Sequence, residues 1–167
     1  ILDRYLRPIA VNATSNAVLF DYNYFPRGTA EEQRRLQNTI ILGLTSILTE
    51  AGENWNDTLP ITRTQPYAFL ENQETKVANL KSFLRLADYS TADQCMAALV
   101  ETYMLENYTP EEQRTAAGVQ YEITLRQFSS SNPFVFSTDI SRDTMYKIQE
   151  NNSLYIGVDV QTSPVRE

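Results

Sequence analysis

Apolar residues in this chain first recur at every second position. Across Ala17 to Phe25, Val18, Phe20, Tyr22 and Tyr24 alternate with Leu19, Asp21 and Asn23, the period of a strand with aromatic weight. Pro26-Arg27-Gly28 then breaks the run. Upstream, Ile1 to Asn12 has the texture of strand, charged corner and strand, with Asp3-Arg4 at the corner and Pro8-Ile9-Ala10-Val11 after it. From Thr29 the period becomes helical. Thr29 and Glu32 have the spacing of a capping box, Leu36, Ile40, Leu44, Ile47 and Leu48 recur at threes and fours, and Gly52 supplies a stop.

Asp57 to Leu70 carries Pro60 and Pro66 among apolar residues, the pattern of an extended connection or short edge strand. Two shorter helices are predicted next, one around Glu74 to Ala87 and one capped at Ser90 that carries Met96, Leu99, Val100 and Tyr103. Thr109-Pro110-Glu111-Glu112 is a strong helix start, with a Thr cap, Pro at the first helical position and Glu at the third; that helix is predicted to reach about Phe128. Phe134 to Ser137 reads as a short strand, Ser141 as the cap of a last helix with Met145, Ile148 and Glu150, and Ile156 to Thr162 as a closing strand. Strands at both ends with helices between them predict an α+β fold. Its small sheet is built from the terminal strands (1–28 with 134–167), and a mostly helical lobe (29–133) is inserted in it.

Length and charge narrow the function classes. A chain of 167 residues with 42% hydrophobic composition suits one compact domain, or a small domain carrying a lobe. It opens on Ile1 without an initiator Met and stops inside a strand-like run, so we expect a piece of a longer protein. Net charge is −7 and the basic residues are scattered, which excludes the basic stripe that nucleic acid requires. The nearest pair, Arg34-Arg35, sits beside Glu31 and Glu32 and reads as a solvated helix face. No apolar run approaches the ~18 residues of a membrane span.

The chemistry-bearing residues are sparse. Histidine is absent and Cys95 stands alone, so an internal disulfide is impossible and a zinc site has no ligand set. Cys95 has no His to activate it and reads as a small buried hydrophobe. The five glycines are too dispersed for a phosphate loop, and neither Gly-x-Ser-x-Gly nor Ser-x-x-Lys occurs. Glu31-Glu32 and Glu111-Glu112 are carboxylate pairs in the first turns of predicted helices, where the helix dipole explains them better than catalysis does. Tyr22, Tyr24, Tyr67, Tyr89, Tyr103, Tyr108, Tyr121 and Tyr155 can serve a sugar- or partner-binding surface, with core and strand packing the favoured use. Sequons at Asn12, Asn56, Asn107 and Asn151 matter only in a eukaryotic secretory protein. No catalytic, cofactor or metal residue is assigned.

Two segments carry a family resemblance. Leu2-Asp3-Arg4-Tyr5-Leu6-Arg7-Pro8-Ile9-Ala10-Val11-Asn12 resembles the first pedestal motif of class B penicillin-binding proteins, Asp-Arg-x-Gly-x-x-Leu-Ala-x-Asn; Leu6 stands where that family has Gly. Phe136 to Glu150, then Ile156-Gly157-Val158-Asp159-Val160 and Pro164-Val165-Arg166, is similar to the passage that runs through Gly-Val-x-Val to an Arg. The structural motif residues on this reading are Asp3, Arg4, Asn12, Gly157 and Arg166.

The resemblance implies a non-catalytic pedestal, or dimerisation domain, whose root is the terminal-strand sheet and whose head is the inserted lobe. It implies a parent peptidoglycan D,D-transpeptidase with its active site elsewhere, a single N-terminal membrane anchor outside this chain, and a place on the extracytoplasmic face of a bacterial membrane. The implied partners are a SEDS-type glycosyltransferase, an MreC-type scaffold and a second copy in a homodimer; no cofactor or nucleic acid is implied. Asp3, Arg4 and Arg166 fall in segments expected side by side, either as a hydrogen-bonded junction at the hinge or as a surface ion pair of roughly 0 to 1 kcal/mol. The rival readings are a secreted or cell-surface adhesion domain that uses its tyrosines and, with less in its favour, a small hydrolase.

Overall fold

A computed structural model describes residues 14–164. The order is β1 (Thr14–Phe20), α1 (Glu31–Glu50), α2 (Glu74–Leu84), α3 (Ala92–Thr102), α4 (Pro110–Leu125), β2 (Phe134–Ile140), α5 (Arg142–Glu150) and β3 (Val158–Pro164). The fold is α+β, as expected: five helices stand with a three-stranded antiparallel sheet in the order β2-β1-β3. Strand β1 is central. It pairs with β3 over seven residues from Thr14↔Pro164 to Phe20↔Val158, and with β2 from Asn16↔Ile140 to Phe20↔Phe134 through two register shifts. Four helices intervene between the sheet partners β1 and β2 in sequence, so this pairing closes a long loop.

The first strand is shorter than its alternation predicts. It stops at Phe20, and the Tyr24 and Phe25 amides turn back to the Asp21 carbonyl at 3.1 and 2.8 Å. The turn carries Phe25 onto Phe20, with ring centroids 4.3 Å apart and nearly parallel. Burial of these rings outweighs the strand propensity of Tyr22 and Tyr24. Phe20 also meets Phe134 and Phe136 of β2 at 5.3 and 5.4 Å, and Trp55 stacks over Phe136. The outer edge of β2 is covered in part, because the Asn56 amide and its side-chain Nδ2 donate to the Phe136 and Val135 carbonyls.

Helix boundaries shift from expectation where a cap differs. The Thr29 capping box is not used: α1 has Ala30 at its N-cap with no side-chain bond. Gly52 does close α1, at φ 72°, while the Glu53 amide returns to the Leu48 carbonyl at 2.8 Å. The cap of α3 is Thr91 with Gln94, one residue beyond Ser90. Thr109 and Glu112 form the predicted capping box of α4, and Ser141 caps α5. Helix α4 ends at Leu125, short of Phe128, whose ring instead packs edge-on against Tyr22 and Phe25. Strand β2 runs on to Ile140, past the predicted end at Ser137.

One apolar cluster joins the sheet to the helices. It takes Val18 and Phe20 from β1, Ile40, Ile41, Leu44 and Leu48 from α1, Leu99 from α3, Ala116 and Val119 from α4, Phe136 from β2 and Ile148 from α5. Leu36, on the predicted stripe of α1, stays 41% exposed. Gln37, Asn38 and Thr45 are buried in that helix instead.

Candidate functional site

The sequence motif residues lie mostly outside the described residues: Asp3, Arg4, Asn12 and Arg166, and with them the predicted junction and the strand–corner–strand run of Ile1 to Asn12. Gly157 is inside and has two reasons to be glycine. Its φ is 80°, and a Cβ there would stand 2.2 Å from the Phe25 amide nitrogen and 2.3 Å from its Cα. The close approach lets the Gly157 carbonyl accept the Asp21 amide at 2.7 Å. Gly157 therefore binds the start of β3 to the turn that leaves β1, at the neck where the sheet hands the chain to the helices.

Above that turn lies a layer of buried amides between α1 and α4. Gln120 Nε2 donates to Gln37 Oε1 and Asn38 Oδ1 at 3.0 Å each; Asn38 Nδ2 donates to the Tyr103 carbonyl at 3.0 Å. Gln37 Nε2 donates to the carbonyls of Pro26 and Gly28, at 3.1 and 3.2 Å, and so holds the loop after the turn. Each buried amide is hydrogen-bonded, as a low-dielectric interior demands.

Arg34 completes the layer and corrects the reading of Arg34-Arg35 as one solvated pair. Arg35 is solvated and pairs with Glu31 at 3.4 Å. Arg34 is half-buried, with Nη1 donating to Gln37 Oε1 and Gln120 Oε1 at 3.1 and 3.2 Å and Cζ 5.0 Å from the Tyr103 ring centre. Burial holds its pKa below the ordinary arginine value, opposed in part by Tyr103. Burial likewise raises the Tyr103 phenol, against the pull of its 2.9 Å hydrogen bond with Thr124 and of Arg34.

A second buried polar set pins the loop after α1. The Arg114 and Asp57 side chains, 3% and 1% exposed, pair at 2.8 Å. Arg114 Nη2 donates to the Ile61 carbonyl at 2.9 Å, and Nε to the Thr62 carbonyl at 3.2 Å. Two turns on, Glu122 Oε1 accepts from Thr58 Oγ1 and the Thr58 amide, and Glu122 Oε2 accepts from Arg126. Residues 114, 118 and 122 share one face of α4, and Gly118 between the two anchors leaves room for the Asp57 carboxylate. Sequence reasoning missed this clamp; the i, i+4 spacing of Arg114, Gly118 and Glu122 was the available signal.

The remaining candidates fall out as follows. Cys95 is fully buried and burial raises its thiol pKa, the opposite of an activated nucleophile. Glu112 serves its cap, and Glu31 and Glu111 lie in first helical turns. The tyrosines divide: Tyr103 and Tyr121 are core, whereas Tyr24 and Tyr89 are 70% and 87% exposed. No group of three or more metal-ligating side chains exists among the described residues. No described helix is long and apolar enough to cross a membrane.

The comparison with protein families decides the identity. The Penicillin-binding Protein dimerisation domain profile matches residues 1–167, the whole chain. The chain belongs to that family. No curated protein is significantly similar to it. Within this dimerisation domain, Gly157 of the Gly-Val-x-Val motif is thus a residue of the neck, and its role is to join strand β3 to the turn after β1.

Proposed function

We propose that this dimerisation domain is the non-catalytic pedestal of a class B penicillin-binding protein, a peptidoglycan D,D-transpeptidase of cell-wall synthesis. It stands on the extracytoplasmic face of the bacterial membrane, below a transpeptidase domain that it holds away from the bilayer. Its root is the sheet of 1–28 with 134–167, and 29–133 form a head that docks a SEDS-type glycosyltransferase, an MreC-type scaffold or a second copy.

The observation that carries this reading is the β1–β3 pairing. Thr14 and Pro164 are Cα partners at one end of the sheet, while Phe20 and Val158 pair at the other, where β1 turns toward the helices. A sheet whose two outer strand ends lie together transmits position between what is attached there and the helices beyond. The buried clamp and the amide layer give those helices the fixed geometry that a spacer needs. Residues Tyr24, Leu154 and Ile156, each more than half exposed, offer apolar contact area near the neck.

The test uses the parent protein. A fluorescent penicillin should label the parent and leave this 167-residue chain unlabelled. Co-purification of the parent with its glycosyltransferase should be lost when 29–133 are replaced by a short linker, with penicillin labelling retained. Labelling of the isolated chain would refute its non-catalytic nature; unchanged co-purification would refute docking by the head.

A further inference from the structure

The neck holds a cleft of about 330 Å³ that the fold itself leaves unfilled. Tyr22, Phe25 and Phe128 form apolar walls, Arg27 and Arg34 also line it, and no acidic residue does. In a chain of net charge −7, two arginines around an acid-free cleft are a local reversal of sign. The size and the mix of flat apolar walls with a few convergent polar groups suit a small ligand or one side chain.

Arg34 has half of its donor fork unspent. Nη1 is committed to Gln37 and Gln120. Nε is shielded and without a hydrogen-bond partner, and among the described residues nothing accepts from Nη2. No described carboxylate lies within ion-pair reach of Arg34. Nη2, neither shielded nor bonded, is the donor that Arg34 leaves open to a carboxylate oxygen in the cleft. Arg27, 4.4 Å over the Tyr22 ring, lines the same cleft and supplies its second cation.

We propose that this cleft is a binding site for a carboxylate carried on a flat apolar group, with Arg34 as the charged anchor through Nη2, Arg27 as the outer cation, and Tyr22, Phe25 and Phe128 as the walls for the apolar part. The site does not depend on the pedestal reading, since it rests on the cleft alone.

The probe is benzoate, with benzyl alcohol as its uncharged counterpart, titrated at constant ionic strength into the 167-residue chain. Nitrogen-15 NMR follows Arg34 Nε and Gln120 Nε2. Benzoate should move both signals saturably, benzyl alcohol should not, and Arg34→Gln should weaken binding at least about tenfold. If Arg34→Gln fails to fold, Arg27→Ala with an unchanged melting temperature takes its place, with a weakening of roughly two- to fivefold expected for an outer cation. Equal response to benzyl alcohol, no saturation, or tighter binding of inorganic phosphate than of benzoate would overturn the assignment. N-acetyl-phenylalanine and N-acetyl-glutamic acid α-amide test the walls: tighter binding of the first supports a chain end that carries an aromatic residue, whereas tighter binding of the second, which has no flat apolar group, would overturn the assignment. Benzoate binding with neither supports a free organic acid.

Discussion

Replacing Gly118 with alanine would put a methyl carbon 2.2 Å from Asp57 Oδ2, 2.6 Å from its Cγ and 2.7 Å from Arg114 Nη1. The carboxylate would have to retreat by about 1 Å to reach ordinary contact. It is not free to do so. Asp57 Oδ2 is 2.8 Å from Arg114 Nη1, and Arg114 is fixed in turn by the Ile61 and Thr62 carbonyls. Breaking a buried pair by displacing one partner costs about 3–5 kcal/mol, and overpacking alone about 1–3 kcal/mol. Alanine returns about 0.5–1 kcal/mol in helix propensity. The net loss is then about 2–4 kcal/mol, which lowers the melting temperature by roughly 5–15 °C in a chain of this size.

Calorimetry and urea unfolding followed by circular dichroism read the loss directly. Gly43→Ala is the internal control, because its methyl would meet only the Tyr155 ring, 2.9 Å away at the tip of a movable, half-buried side chain. That variant should stay within about 1 kcal/mol of the parent sequence, since the clash is relieved by a rotation and offset by propensity. A double-mutant cycle of Gly118→Ala with Asp57→Ala should show coupling of at least about 1 kcal/mol, because removing the carboxylate removes the clash. A Gly118→Ala protein as stable as the original, with no coupling to Asp57, would refute the account of the clamp.

Gly157→Ala should cost about 3 kcal/mol or more and should first loosen the β3 amides in hydrogen exchange, since the clash is with the Phe25 backbone at a φ of 80°; protection equal to the original would refute the neck argument. Thr109→Ala should lose about 1 kcal/mol with its capping box, whereas Thr29→Ala should change stability by under about 0.5 kcal/mol, because no side chain caps α1; urea midpoints compare the two. Native Cys95 should resist thiol reagents near pH 8 and react only as fast as the chain opens; rapid labelling of folded protein would contradict its burial. Stability should fall at alkaline pH. Burial raises the pKa of Cys95, Tyr103 and Tyr121, so the unfolded chain loses those protons first, and the loss should begin near the unfolded thiol value of about 8.5 and steepen past about 10 in thermal melts taken across pH.

Periodicity and caps were legible because they are local. Thr109-Pro110-Glu111-Glu112 folds as its chain neighbours dictate, and so do Ser141 and Gly52. The α+β class followed from the order of strand-like and helical runs. Thr29 misled because a capping box is a spacing, and Ala30 takes the N-cap position one residue nearer the helix. Phe25 misled because stacking on Phe20 and the close approach of Gly157 bend the chain away from the strand that its alternation suggests.

The sequence by itself determined where α4 and α5 begin, most of the apolar stripe of α1, and that a chain with no histidine and one cysteine has little material for catalysis. Only the tertiary structure decided that Arg34 leaves solvent for an amide layer, that Asp57 and Arg114 meet across 57 positions, and that β1 lies between β2 and β3. The physical reason is range. Propensity and capping act within a turn of helix or a few residues of strand, whereas burial of a charge or the room for a Cβ depends on residues far apart in sequence that only the packing of helices and sheet brings together.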